Sequence, residues 1–181
     1  PSLLPALVTE RTKAIMPVHL AGQPCDLDPI LALGLPVVED AAHAVESRYR
    51  GRKVGGISDV ACFSLYATKN VAAGEGGLVA TNRADVAEGI RNMRLTRRGD
   101  GSHYDQVSPG FKANLPDVLA AIALVQLDRI EEHGLTRARQ FRLYDEGLTG
   151  LDGITPLARD ERDTHAHHLY VVRIDPARAG A

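Results

Sequence analysis

The chain has 181 residues, of which 44% are hydrophobic, and its formal net charge is −2. This length and composition indicate a globular protein with one full domain and part of a second. The small net charge argues against a nucleic-acid surface or a polybasic membrane patch. The sequence contains no apolar run of about 18 residues, so it predicts no transmembrane helix.

The first third of the chain predicts a strand, a helix and a second strand. Ala14–Leu20 and Leu35–Asp40 are short apolar runs of the kind that form buried strands. Asp26–Leu33 predicts a short helix between them, with Asp26 or Asp28 as its N-cap. Strand, helix and strand in so short a span predict a βαβ unit and hence a parallel sheet.

The central part of the chain predicts two further strands around a glycine-rich turn. Glu46–Asp59 is polar and rich in glycine, and we expect an extended excursion or a small hairpin there. Val60–Leu65 and Leu78–Ala80 are short apolar runs bounded by Gly and Asn, which is typical of buried strands. The turn between them carries Lys69 and three glycines.

Two helices and a long loop follow. Arg83–Leu95 has helical apolar spacing, with Asn82 as the predicted cap. Thr96–Lys112 is predicted to be a loop, and its length suggests a functional role. Leu115–Glu132 predicts a helix capped by Asn114, and we expect its apolar first half to be buried on most sides.

The last part of the chain predicts the start of another layer. Arg137–Leu148 has the pattern of a helix that is more charged and therefore more exposed. His165–Ile174 has the pattern of a strand. We place a domain boundary near Gly134. Residues 1–134 would then be part of a large domain, and residues 135–181 the beginning of a small C-terminal domain.

Three polar side chains follow the predicted strands. Asp40 ends one strand, Ser64 lies at the end of another, and Lys69 lies just beyond it. Open parallel sheets bind ligands at the carboxyl ends of their strands, so we expect the three in one crevice. A lysine, a carboxylate and a hydroxyl are what pyridoxal phosphate (PLP) requires. Each residue also has a simpler interpretation, since Asp40 could cap the next turn and Lys69 could be a solvated loop lysine.

Other candidate groups give weaker signals. His165, His167 and His168 lack a Cys or carboxylate neighbour that would complete a metal site, so we predict no metal. The arginines 94, 97 and 98 could meet one anionic group of a substrate. The two cysteines, 25 and 62, have no metal-type spacing and favour a reducing cytoplasm. The N-terminus does not resemble a signal peptide, and we expect the chain to be a piece of a longer protein.

Five blocks of sequence, in order, carry a family resemblance: PVHLAGQPCDLDPI, VVEDAAHAVESRYRGRKVGGISDVACFSLYATKN, GEGGLVATN, GFKANLPDVLAAIALVQLDRIEE and HHLYVVRID. They resemble the DegT/DnrJ/EryC1/StrS family of PLP-dependent sugar aminotransferases, which have fold type I. The pair E-D-A-A-H-A and F-S-x-x-x-x-K-N is the most specific part. The resemblance runs from Val8 to Asp175.

The resemblance implies a role for each matching residue. Lys69 would form the Schiff base with PLP and carry protons, and Asp40 would pair with the pyridine nitrogen. His43 would lie beside the phenolic oxygen, and Ser64 would bind the phosphate. Without the resemblance, His43 is better explained as a packed residue of the turn.

The resemblance also implies an architecture. It is a three-layer α/β fold with a mostly parallel sheet, that of the fold type I large domain, followed by the start of a small α+β C-terminal domain. The helix Leu115–Glu132 would line the interface of a homodimer with shared active sites. Many members have an Asn that reaches the partner's phosphate; here that position is Lys112, with Asn114 two residues further on. Members are longer than this chain, so it would hold only part of the family site.

The implied reaction is transamination of a keto sugar, usually nucleotide-linked, with an amino acid such as glutamate as donor. One alternative is a PLP-dependent sugar dehydratase, but those members replace the lysine by histidine, whereas Lys69 is present. Another is a non-catalytic homologue or fragment that binds a partner through Leu115–Glu132. A nicotinamide-binding domain is disfavoured because no G-x-G-x-x-G follows an early strand. We expect neither nucleic acid nor a membrane as partner.

Overall fold

The computed structural model of the protein describes residues 1–95, 97–98 and 106–180, and for 97–98 and 106–108 it describes the backbone alone. Short 3-10 turns cover Leu4–Leu7 and Leu20–Gly22. The helices and strands are, in chain order, α1 (Leu27–Leu31), β1 (Val38–Asp40), β2 (Arg48–Tyr49), β3 (Arg52–Lys53), β4 (Val60–Ser64), β5 (Gly77–Thr81), α2 (Ala84–Met93), β6 (Arg97–Arg98), β7 (Gln106–Ser108), α3 (Asp117–Asp128), α4 (Ile130–Leu148), β8 (Ile154–Pro156), β9 (Val172–Ile174) and α5 (Pro176–Ala179).

A mixed three-stranded sheet with the order β1-β4-β5 carries the fold. Strands β1 and β4 are parallel, as predicted, whereas β5 is antiparallel to β4. The predicted strand Ala14–Leu20 lies parallel to β1 but pairs only through isolated bridges at Ile15 and Val18. Pro17 lies between them and has no N–H to donate, so the ladder is interrupted there. The predicted α/β class is confirmed, with β5 as the exception to the parallel order.

Strands β2 and β3 form the small hairpin predicted within Glu46–Asp59. Arg50 and Gly51 at its tip have φ angles of +47° and +80°, which are the left-handed values that a two-residue type I′ turn requires. Next to them, the buried Tyr49 donates a hydrogen bond from its hydroxyl to Asp26 Oδ1 at 2.7 Å. Asp26 precedes α1, but its side chain serves the hairpin and does not make the predicted cap.

Buried side chains form three clusters around the sheet. They are Leu27, Ile30, Val37 and Tyr49; then Ala41, Ala44, Val54 and Ala61; and finally Leu65, Val71, Ala73 and Ile130. The first packs α1 against β1 and the hairpin. The third joins the segment that follows β4 to the start of α4, so the predicted lysine turn is attached to the C-terminal helices.

The predicted helix caps are wrong at two places. Helix α2 has Arg83 as its N-cap instead of Asn82, and α3 has Pro116 instead of Asn114. The residue before a proline is biased towards extended conformations, which delays the start of α3 past Pro116. The Asn114 side chain accepts a hydrogen bond from Lys112 Nζ at 2.9 Å and is not used as a cap.

The predicted break near Gly134 is wrong as a helix boundary, because Gly134 lies inside α4. Arg129, with φ −101° and ψ 7°, separates α3 from α4 instead. A division into domains at this point stays a prediction.

The predicted strand His165–Ile174 is too long, since only its last residues form β9, which pairs with β8. Its first residues bond to the Leu20–Gly22 turn instead. The N–H groups of Ala166 and His168 donate to the carbonyls of Gly22 and Ala21 at 3.0 and 3.1 Å.

Helix α3 is apolar around much of its circumference, yet none of its residues is buried. Val118 and Leu124 are 72% and 63% exposed. The predicted burial on most sides is therefore wrong for this chain by itself, because only the side with Leu119 and Ala123 packs against the core. Of the helices in the described ranges, none is long and apolar enough to cross a membrane.

The predicted loop Thr96–Lys112 contains the antiparallel hairpin β6-β7. Strands of two and three residues are too short to produce an alternating pattern in the sequence. Thr96 and residues 99–105 lie outside the described residues. So do the side chains of Arg97 and Arg98, for which the sequence suggests an anionic contact.

Candidate active site

The carboxyl ends of β1 and β4 form one side of a cavity of about 300 Å³. Asp40 ends β1 and Ser64 ends β4, and both line this cavity together with Met16, Cys62 and Gly76. The parallel register explains the proximity, because it sets Asp40 directly opposite Cys62, two residues before Ser64. The structure thus brings two of the predicted cofactor ligands to one crevice.

Each of these two side chains also makes a local hydrogen bond. Asp40 Oδ1 accepts from the N–H of Ala42 at 3.0 Å, and Ser64 Oγ accepts from the N–H of Tyr66 at 3.2 Å. Asp40 therefore does cap the following turn, as its simpler interpretation predicts. That bond uses one carboxylate oxygen and fixes the orientation of the group, which leaves the ligand role possible for the other oxygen.

Lys69 lies in a loop that leaves β4 and returns at β5. Backbone bonds close its base: the N–H of Leu65 donates to the carbonyl of Gly76 at 2.9 Å, and that of Ala67 to Gly74 at 3.0 Å. The N–H of Lys69 itself donates to the carbonyl of Tyr66 at 2.9 Å. Lys69 is half-buried on a loop that backbone hydrogen bonds hold, and it is not a freely solvated lysine.

Gly76 allows this loop to close. Its φ is +138°, and a Cβ atom there would lie 2.6 Å from Leu115 Cδ1. Residues other than glycine rarely adopt this conformation, and a side chain here would displace the leucine. The glycine-rich stretch before β5 is thus explained by a close approach between the lysine loop and the segment before α3.

His43 lies close enough to Lys69 and Asp40 to respond to both charges. Burial lowers the pKa of His43, the positive charge of Lys69 lowers it further, and Asp40 opposes this change. Its ring centre is 4.4 Å from that of His168. The charges of Lys69 and Asp40 therefore both act on His43, and its contact with His168 supports the packed interpretation of His43.

Sequence reasoning missed a polar network behind the lysine. Asn70 Nδ2 donates to Glu46 Oε2 at 2.8 Å and to the carbonyl of Ala166 at 2.9 Å. Glu46, only 10% exposed at its side chain, also pairs with Arg137 of α4. The letters K-N of the motif pointed to Asn70 itself. Its network could not be predicted, because Glu46 and Arg137 are distant from Asn70 along the chain.

Lys112 and Asn114 lie together before α3. Lys112 is exposed, has φ +50° and donates from Nζ to Asn114 Oδ1 at 2.9 Å. The two residues that could replace the family's phosphate-binding Asn are thus neighbours. Their role towards a partner subunit stays a prediction.

A second buried polar network lies next to the crevice. His19 Nε2 and Glu39 Oε2 are 2.7 Å apart, both side chains are fully buried, and Ser58 Oγ donates to the other carboxylate oxygen at 2.5 Å. The N–H of Cys25 donates to His19 Nδ1 at 2.9 Å, so the proton of a neutral ring must be on Nε2. Burial would raise the pKa of Glu39, but the bonds from His19 and Ser58 hold it below its usual range.

The remaining histidines pack on aromatic residues. The rings of His165 and His167 are 5.0 Å apart, and both contact Phe141. Among the residues that the structure describes, no group of three or more His, Cys, Asp or Glu side chains is arranged to hold a metal ion.

Comparison with known proteins gives consistent matches. The sequence model that describes the DegT/DnrJ/EryC1/StrS aminotransferase family matches residues 1–180 of this chain. The spore coat polysaccharide biosynthesis protein SpsC of Bacillus subtilis is 43% identical over 195 aligned positions, which cover 99% of this chain and 50% of SpsC.

The solved structures that resemble this chain include sugar-modifying enzymes of fold type I. S. venezuelae DesV is 36% identical with a TM-score of 0.90, over 96% of this chain and 48% of DesV. DesI, solved in the presence of its TDP-sugar product, is 34% identical with a TM-score of 0.87, over 98% of this chain and 46% of DesI. The chain thus spans about half the length of the relatives it matches.

Proposed function

Since the chain belongs to the DegT/DnrJ/EryC1/StrS aminotransferase family, we propose that the protein containing it transfers an amino group from an amino acid to a keto sugar. One observation carries this proposal: Asp40 and Ser64 line one crevice, and Lys69 lies on the loop that follows Ser64. The group that suits this set is PLP.

The described residues fit PLP by their chemistry. Asp40 is an acceptor for a protonated pyridine nitrogen, Ser64 is a donor for the phosphate, and Lys69 is the amine. When bound, PLP supplies an electron sink that stabilises negative charge on the reacting carbon. Asp40 keeps the pyridine nitrogen protonated, which strengthens that sink. Lys69 Nζ is the base and acid that moves the proton at the substrate carbon.

The finer assignments follow the resemblance. The donor is an amino acid such as glutamate, which leaves as its keto acid, and the acceptor is a nucleotide-linked keto sugar. The TDP-sugar found with DesI supports the second assignment. A sugar dehydratase is the weaker candidate, because Lys69 occupies the position where such enzymes carry histidine.

The protein is proposed to act as a cytoplasmic homodimer. The apolar side chains that α3 exposes, such as Val118 and Leu124, support a subunit interface. Lys112 and Asn114 would then reach the partner's phosphate. The free cysteines 25 and 62 fit a reducing compartment.

Borohydride trapping of the full-length protein with PLP tests the proposal. Reduction should fix one pyridoxyl group on the peptide that contains Lys69, and Lys69→Ala should abolish both the label and amino transfer. Lys53→Ala, a change at an exposed lysine of the hairpin, is the matched control and should keep both. A label elsewhere, or full activity of Lys69→Ala, contradicts the proposal.

A further inference from the structure

Asn70 has a fixed amide orientation. Its Nδ2 donates to Glu46 and to the carbonyl of Ala166, and its Oδ1 lies 2.9 Å from His168 Nδ1. The reversed orientation would bring Oδ1 against a carboxylate and a carbonyl, which are both acceptors. His168 Nδ1 therefore carries the proton and donates to Asn70, the residue that directly follows Lys69.

His43 has the opposite proton arrangement. Its Nδ1 accepts from the N–H of Ala21 at 3.3 Å, so the proton of the neutral ring is on Nε2. Ala21 has φ +59°, a strained value for a residue other than glycine, and it is buried. Its carbonyl accepts from the backbone N–H groups of His168 and Leu169 at 3.1 and 3.2 Å. One strained residue thus holds both histidines.

The two rings pack against each other in a field of positive charge. Their centres are 4.4 Å apart and their planes are tilted by 33°. Burial is the main cause that lowers the pKa of His168 to about 4, and the positive charges of Lys69 and Arg137 lower it further. Burial and Lys69 lower that of His43 despite Asp40. Both shifts favour the neutral form of the rings, in agreement with the acceptor role of His43 Nδ1.

We propose that Asn70 and His168 are positioning residues that hold His43 as a neutral Nε2–H donor near Lys69. This inference rests on the proposed function, in which His43 lies beside the phenolic oxygen of PLP. A neutral donor stabilises negative charge on that oxygen without adding a second cation near Lys69. Through Asn70, the loop with Lys69 and the ring of His43 are held in one arrangement.

Histidine ring nitrogens report these proton positions directly. In full-length protein labelled with ¹⁵N-histidine, long-range ¹H–¹⁵N spectra at pH 7.5 should show His168 as Nδ1–H and His43 as Nε2–H. Asn70→Ala should remove the Nδ1–H form of His168 and shift the signals of His43. His165 is the internal control: its Nδ1 accepts from the N–H of His167 at 2.7 Å, so it should stay Nε2–H in both proteins.

A second readout concerns the bound cofactor. Asn70→Ala and His168→Phe should both shift the pH at which the visible absorption of bound PLP changes, by about one unit. They should also weaken PLP binding roughly three- to tenfold, the effect of one net hydrogen bond. Glu88→Ala, a change at an exposed residue of α2, should alter neither. His168→Phe keeps a stacked ring, so it remains informative if Asn70→Ala does not fold.

The outcomes separate this inference from the proposed function. Wild-type protein with His168 as Nε2–H, or variants with unchanged His43 signals and an unchanged optical titration, would overturn the inference. Wild-type protein with the expected ring protons but without PLP on Lys69 would refute the proposed function and leave the positioning of His43 supported.

Discussion

Replacing Glu39 by glutamine should unfold the protein more easily, because the buried carboxylate accepts from His19 Nε2, from Ser58 Oγ and from the N–H of Ser58, whereas an amide accepts through one oxygen alone. His19 Nε2 and Ser58 Oγ each donate to one oxygen of Glu39. The bond from Cys25 to His19 Nδ1 keeps the ring proton on Nε2. In Glu39→Gln, the amide NH₂ therefore faces one of these donors.

The size of the effect follows from burial. A hydrogen bond to a charged group contributes about 1.5–3 kcal/mol, and a buried donor left without acceptor costs about 1–3 kcal/mol. The side chains of His19 and Glu39 are fully buried, so water does not replace a bond lost between them. We expect the free energy of unfolding to fall by about 3 kcal/mol at pH 7.

The effect should depend on pH with a definite sign. The pKa of Glu39 is held below its ordinary value of 4.5 in the folded state. Its contribution is therefore complete above the unfolded pKa and is lost as pH falls through the folded one. The stability difference between wild type and Glu39→Gln should shrink as pH is lowered below 4.5.

Urea unfolding followed by circular dichroism at a series of pH values measures this difference. Glu132→Gln is the control, since its side chain is 67% exposed and its pair with Arg129 lies at the surface; we expect less than about 0.5 kcal/mol there. Equal midpoints for the two variants at pH 7, or a difference that does not shrink in acid, would refute the reasoning.

Three further changes test other parts of the fold. Gly76→Ala should lower stability by about 2 kcal/mol, because its φ is +138° and the new Cβ would meet Leu115 at 2.6 Å; thermal melts measure the loss, and an unchanged melting temperature would contradict it. Arg137→Met should cost about 3 kcal/mol, because it leaves the Glu46 carboxylate buried without its cation; melts of the double variant with Glu46→Gln should recover part of it. For His168, the folded pKa of about 4 lies below the ordinary 6.5, so the unfolded chain binds more protons in that range and stability falls as pH drops through it. Denaturation of His168→Phe should show this acid loss reduced by about 1–2 kcal/mol, after allowance for solvent screening of the half-buried ring.

The sequence was most informative where short-range rules act. Strands β1, β4 and β5 were predicted because apolar runs of this length bounded by Gly or acidic residues have few alternatives. The parallel pairing of β1 and β4 then placed Asp40 and Ser64 together, since parallel strands end at one edge. The glycines before β5 indicated a turn, whereas the close approach of Leu115 to Gly76 came from the structure alone.

Prediction failed where distant contacts decide. Asn114 has a good capping side chain, yet Pro116 and the bond from Lys112 remove it from that role. The exposure of α3 could not be predicted, because the apolar composition of a helix does not show whether other parts of the same chain pack against it. The buried pair of His19 and Glu39 gave no signal, since both residue types are usually exposed when unpaired.

The bond between Asn70 and His168 spans 98 positions of the chain, and this separation orders events during synthesis. A ribosome adds about 5–20 residues per second, so the lysine loop exists for roughly 5–20 s before its anchor has been made. Contacts of high sequence separation close late, because the entropy of the intervening chain must first be lost. In a nascent chain that stops before residue 168, the lysine loop therefore keeps its local bonds to Glu46, Gly74 and Gly76 but lacks its bond to the C-terminal segment.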